Sequence, residues 1–135
     1  MSDVETINGR SAGYLPGLFG IEITELESGL LRSRLPLRDE LLAPNGYLHA
    51  ATVIALADTS CGYGSIANLP DGAQSFTTIE LKSNFTGTAR SGTIACEARL
   101  VHGGRTTQLW DATVTDEESG REISLFRCTQ MILYG

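Results

Sequence analysis

At 135 residues, 41% of them apolar, the chain is long enough for one domain with a real core and too short for a catalytic domain plus a separate regulatory one. Ten Lys and Arg against sixteen Asp and Glu give a net charge of −6 with no basic cluster, which argues against a nucleic-acid module. No uninterrupted apolar run reaches the roughly 18 residues needed to cross a bilayer, and the acidic, polar start Met1-Ser2-Asp3-Val4-Glu5 is unlike a secretory leader, so a cytoplasmic protein without membrane association is expected.

Residues 1–16 carry no sustained hydrophobic period and contain Gly9, Gly13 and Pro16. They read as a lead-in, loose or forming a short surface helix, to a single domain over residues 17–135. Ile21 and Ile23 alternate with polar residues, a turn falls at Ser28-Gly29, and Leu31, Ser33 and Leu35 give a second alternating run closed by Pro36, which together predict a hairpin. Pro44-Asn45-Gly46 marks a further turn. From Ala50 to Ile66 nearly every residue is apolar or small, the pattern of a buried helix rather than a surface amphipath. Gly62 and Gly64 inside it point to a frayed end or to the close approach of another backbone. Leu69-Pro70-Asp71-Gly72 ends it. Four runs follow, Phe76–Phe85, Thr93–His102, Thr106–Thr115 and Ile123–Leu133, rich in β-branched and aromatic residues and separated by Gly87, Gly103-Gly104 and Ser119-Gly120. Short connections favour antiparallel pairing between successive strands. One buried helix with five or six such strands predicts an α+β fold in which a curved antiparallel sheet wraps a long central helix, since a flat sheet covers only one helix face.

Chemistry concentrates between His49 and Asp58. Asp58 is a lone acid after an uncharged run, with no Lys or Arg at helical spacing to pair with it, so its charge stands in apolar surroundings without structural compensation. His49 falls at the start of the predicted helix, where free backbone N–H groups, here those of Ala50 and Ala51, form a ready site for a polarised oxygen. Nine helical residues span about 13.5 Å, so His49 and Asp58 of one chain are not expected to touch. A site using both would join two subunits or act at two ends of a substrate. Ser60 and Cys61 lack a base at helical spacing and make poor nucleophiles. Cys61, Cys96 and Cys128 are too few and too widely spaced for a disulfide framework or a metal site, so reduced thiols and no metal are expected. Arg105, Thr106 and Thr107, on a Gly turn, offer a cation, two hydroxyls and backbone amides to a phosphate.

These residues resemble the hotdog-fold acyl-CoA thioesterases, in the branch that holds the phenylacetate-pathway and 4-hydroxybenzoyl-CoA thioesterases. The resemblance runs from about Leu18 to Leu133. It is strongest in Asn45-Gly46-Tyr47-Leu48-His49-Ala50-Ala51 and Leu56-Ala57-Asp58, similar to the family's Gly-x-x-His-Gly-Gly and the acid nine residues after its His. Ile79 to Phe85 and Gly104 to Thr107, with Trp110-Asp111, resemble later strands. The resemblance implies that Asp58 acts as nucleophile or as general base and that the Ala50 amide polarises the thioester carbonyl. It also implies that a hydroxyl at Thr78 helps place the water or the acid, and that the Arg105-Thr106 turn meets coenzyme A. Two departures stand out. Ala50-Ala51 replaces Gly-Gly, and Ala43 stands where relatives carry an amide side chain, with Asn45 as a possible substitute two residues later.

The implied activity is hydrolysis of an aryl-, phenylacetyl- or medium-chain acyl-CoA, with coenzyme A as part of the substrate and no separate cofactor. The implied assembly is a homodimer or dimer of dimers, so that His49 and Ala50 of one chain meet Asp58 of another. Its phosphates would need the few available cations, Arg105 with Arg90 or Lys82. Two other readings stand beside it: a hotdog dehydratase or hydratase, against which Tyr63 occupies the place of that pattern's His, and a non-catalytic acyl-CoA binding protein.

Overall fold

The computed structural model describes residues 3–135. Helices α1 (Asp3–Ser11) and α2 (Leu15–Phe19) precede strands β1 (Glu22–Glu27) and β2 (Leu30–Pro36); helix α3 (Ala50–Ala67) is followed by β3 (Ser75–Phe85), β4 (Thr93–Gly103), β5 (Thr107–Asp116) and β6 (Glu122–Leu133). All six strands join one antiparallel sheet in the order β1-β2-β4-β5-β6-β3. Helix α3 packs against β2, β3, β4, β5 and β6. Five strands laid flat would span about 19 Å, wider than a helix of about 10 Å, so the sheet has to curve for all of them to reach it. The result is the α+β hotdog architecture.

One expectation fails. β3 does not pair with its successor β4 but with β6, at the far edge of the sheet. The link 86–92 carries the chain back past β6 and β5, and is tied on the way to the segment before α3 by a 2.9 Å bond from the Leu48 amide to the Ala89 carbonyl. Seven residues extend to about 24 Å, ample for three strand spacings. The stretch contains Gly87 but no two-residue hairpin turn, so nothing local holds β3 against β4.

The core lies between α3 and the concave face of the sheet, built on Ile23, Leu31, Leu35, Leu56, Ile94, Trp110, Val114, Ile123 and Phe126. Gly62 and Gly64 are neither at a frayed end nor against another backbone: α3 continues to Ala67, and both glycines receive aromatic rings. A Cβ at Gly64 would stand 2.6 Å from the Trp110 ring, and one at Gly62 would stand 3.1 Å from Phe76. Cys61, Cys96 and Cys128 are free and buried. Burial pushes the Cys96 thiol up to about 12, and contact with Cys128 together with burial raises Cys61 well above the ordinary thiol range, so both stay protonated and inert.

In the lead-in, α1 sends Ile7 into the core, and Asn8 both donates to the Ile23 carbonyl at 3.0 Å and accepts from its amide at 2.8 Å. The side-chain amide thereby mimics a neighbouring strand on the outer edge of β1. Among the described residues no helix is long and apolar enough to cross a membrane.

Candidate active site

The sheet leaves one stripe of α3 incompletely covered: Ala51, Ile54, Ala55, Asp58, Thr59, Tyr63 and Ile66, spaced as one helical face. Asp58 sits midway along it. No described residue forms an ion pair with it, and its Oδ1 is buried without a hydrogen-bond partner. Burial pushes its carboxyl above the ordinary aspartate range, because the charged form loses hydration that nothing nearby replaces. The carboxyl opens onto a cavity of about 180 Å³ whose walls include Pro16 of α2, Tyr63 and Ile66 of α3, and Phe76 and Thr78 of β3. Asp58 and Thr78, far apart in sequence, thus line one space. The Thr78 hydroxyl donates to Gln130 Oε1 at 2.6 Å, and the Tyr63 hydroxyl is 2.7 Å from Ser11 Oγ of α1. Ser60 is no nucleophile: it is fully buried and its hydroxyl donates to the Leu56 carbonyl.

At the N-terminus of α3, His49 is the N-cap residue and its Nδ1 accepts from the Ala51 amide at 2.9 Å. That bond leaves the imidazole proton on Nε2 and corrects the expectation that Ala51 offers a free donor. The Ala50 amide has no partner among the described residues, while the Thr52 and Val53 amides turn back to the His49 carbonyl. Ahead of the helix, Ala43 and Tyr47 close a tight loop, with Asn45 Oδ1 accepting from the Tyr47 amide at 3.1 Å. The Asn45 side chain is therefore spent on its own turn. Arg90, from the link 86–92, lies over the Tyr47 ring at 4.8 Å from its centroid and beside Gly46. Asn45, His49, Ala50 and Arg90 form one exposed group at this end of the helix.

The turn bearing Arg105, Thr106 and Thr107 lies at the other end, where neighbouring Gln108 donates to the carbonyl of Asn68 just past α3. Arg105 and Thr106 are exposed, and the Arg105 carbonyl accepts from the Tyr134 hydroxyl. Lys82 is brought to neither group. It is exposed opposite Arg127, on the face of the sheet turned away from α3, where Arg127 pairs with Asp111. Within one chain the candidate residues therefore fall into three places: the helix start, the Asp58–Thr78 cavity and the β4–β5 turn.

Residues 45–123, spanning the helix start, Asp58, Thr78 and strands β3, β4 and β5, match the family model described as the thioesterase superfamily. The chain belongs to that superfamily. The proofreading thioesterase EntH of Klebsiella pneumoniae is 32% identical over 117 residues, covering 85% of this chain and 83% of that one. A 1,4-dihydroxy-2-naphthoyl-CoA hydrolase of Listeria monocytogenes is 28% identical over 110 residues, covering 82% and 88%. Among solved structures, a mutant thioesterase from Pseudomonas aeruginosa superposes with a TM-score of 0.92 at 25% identity, covering 98% of this chain and 95% of that one. The PaaI protein of Escherichia coli, at 17% identity and a TM-score of 0.85, shares the fold.

As a thioester hydrolase of this superfamily, the chain needs a base or nucleophile and a donor for the carbonyl oxygen. An unpaired carboxylate with a raised pKa suits the first, and a free helix-start amide suits the second. Sequence reasoning missed Gln130 and the cavity walls at Pro16 and Phe76. A signal for Gln130 did exist: Phe126, Cys128, Gln130 and Ile132 alternate toward the helix, and a polar residue in that row is out of place.

Proposed function

We propose that the protein hydrolyses an acyl-CoA thioester at a site shared between two copies of the chain. Asp58 of one copy serves as general base or nucleophile, and the Ala50 amide of the other polarises the carbonyl. The observation that carries this reading is the Asp58 carboxylate: uncompensated, partly desolvated and open to a cavity with apolar walls. In a purely structural protein such a charge has only a cost. About 13.5 Å of helix between His49 and Asp58 keeps the two functions apart within one chain, so a second copy must close the site. His49 caps the helix and holds Ala50 in place. Coenzyme A would be held by cations at the rim, Arg105 with Thr106 and Thr107 at one end and Arg90 at the other. Tyr63 and Phe76 favour an aryl or arylacetyl group over a straight chain, because flat rings stack on ring walls. The test is turnover by Asp58→Asn: a loss of at least about a hundredfold in kcat with an unchanged fold is expected, and near-normal turnover of an acyl-CoA panel would end this reading.

A further inference from the structure

Two buried side-chain polar atoms lack hydrogen-bond partners among the described residues, Asp58 Oδ1 and Gln130 Nε2, and Thr78 stands at both places. It shares the cavity with Asp58 and gives its only proton to Gln130 Oε1. We propose that Gln130 is a positioning residue for the hydrolysis: by taking the Thr78 hydroxyl proton, it turns the threonine oxygen into a pure acceptor toward the cavity. This rests on the reading of Asp58 as the base.

A threonine hydroxyl has one proton and two lone pairs. Left free beside a carboxylate it would donate to it, since a bond to a charged acceptor is the stronger choice. That bond would favour the charged form of Asp58, weaken it as a base and occupy the oxygen that must take a proton from water. With the proton drawn off to Gln130, Thr78 offers lone pairs only. A water between the two then gives one proton to Asp58 and a hydrogen bond from the other to Thr78. Its oxygen forms the bond to the thioester carbon, the C–S bond breaks, and the departing thiolate takes the proton back from Asp58.

The fold holds Gln130 firmly to this task. It faces α3 from β6, fully buried, directly opposite Thr78 in the β3–β6 register. Its neighbour on β5, Gln108, is pinned by a 2.8 Å bond to the Asn68 carbonyl and a 2.7 Å bond from Trp110 Nε1. A core selected for packing alone would have no use for an amide whose nitrogen goes unpaired.

The test is Gln130→Met, alone and with Thr78→Val, with Asp58→Asn beside them. Gln130→Met should lower kcat roughly tenfold or more, leave KM within about twofold, and move the acid limb of the pH–rate profile downward by about one unit as Thr78 turns its proton to Asp58. Apart from Asp58, the titratable side chain on the cavity wall is Tyr63; Cys61, one turn along α3, is buried in the core, where contact with Cys128 and burial raise its thiol far above the acid range. In the Thr78→Val background, Gln130→Met should change neither kcat nor the limb further. An equal loss in both backgrounds, or a limb that stays in place, means that Gln130 only packs, and overturns the proposal. If Asp58→Asn keeps full turnover, the base assignment itself fails and takes this inference with it. A measurement on the unmodified protein guards against a variant that does not fold: NMR should find the Thr78 hydroxyl proton protected from exchange and close to the Gln130 amide. Exchange as fast as that of exposed Thr106 would overturn the proposal as well.

Discussion

A carboxylate held above its ordinary pKa is a strain on the folded state whenever it is charged. For Asp58 the cause is burial, so the folded chain holds that proton to a higher pH than the unfolded chain does. In the window between the ordinary aspartate value and the raised one, the native state binds more protons, and stability falls as pH rises. Asp58→Asn removes the charge while keeping the shape. The variant should therefore melt higher than wild type at pH 7, with the gap narrowing below about pH 4, where both forms are neutral. Calorimetry at the two pH values decides it, and an equal gap at both would show that the difference is not the charge. The same substitution should cost turnover, so stability and activity would move in opposite directions at one residue.

At the scale of elements, α3 carries the design. Its first residue, Ala50, follows an N-cap in extended conformation, His49 at φ −73° and ψ 134°. The residue before a proline prefers that conformation, and the first helical position accepts proline readily because its N–H has no helical partner. Ala50→Pro therefore deletes one amide proton and little else. The melting temperature should hold within a few degrees while kcat falls about a hundredfold to a thousandfold, the usual loss of an oxyanion donor. Unchanged kcat would mean that the carbonyl is polarised elsewhere. Farther along, Gly64 lets Trp110 lie against the helix, and Trp110 in turn orients Gln108 beside Gln130. A glycine that weakens a helix in isolation here admits the ring that shapes the core.

At the scale of the whole molecule, the two edges of the sheet are treated differently. Asn8 occupies the outer edge of β1 through two bonds to Ile23, whereas β3 has no strand neighbour but β6 among the described residues and leaves Ile79, Leu81 and Phe85 39–53% exposed beside the uncovered stripe of α3. An open edge flanked by apolar side chains is a natural pairing surface for a second copy. Each variant alone, Ala50→Pro or Asp58→Asn, should be nearly inactive. A mixed dimer of the two has one site with both lesions and one with neither, so it should work at about half the wild-type rate, and an equimolar mixture unfolded and refolded together, in which about half of the dimers are mixed, should regain about a quarter. No recovery in dimers verified by light scattering would place Ala50 and Asp58 of the same chain in one site.

Periodicity made the helix, the hairpin and the four later strands legible, since local alternation and turn residues report which face each segment buries. The lone acid after an uncharged run, nine residues beyond His49, was equally plain, because it breaks a pattern that can be read without a fold. Pairing was another matter. β3 joins β6 because the wrapped sheet leaves room there, and no local signal records a partner about forty to sixty residues away. The Ala51 amide is spent on His49, and Lys82 faces away from the helix, both outcomes of directions that spacing does not encode. Only the curved sheet brings Gln130 behind Thr78 and Thr78 to the cavity of Asp58: hydrogen bonds between distant segments depend on register and curvature, and these follow from packing the whole chain at once.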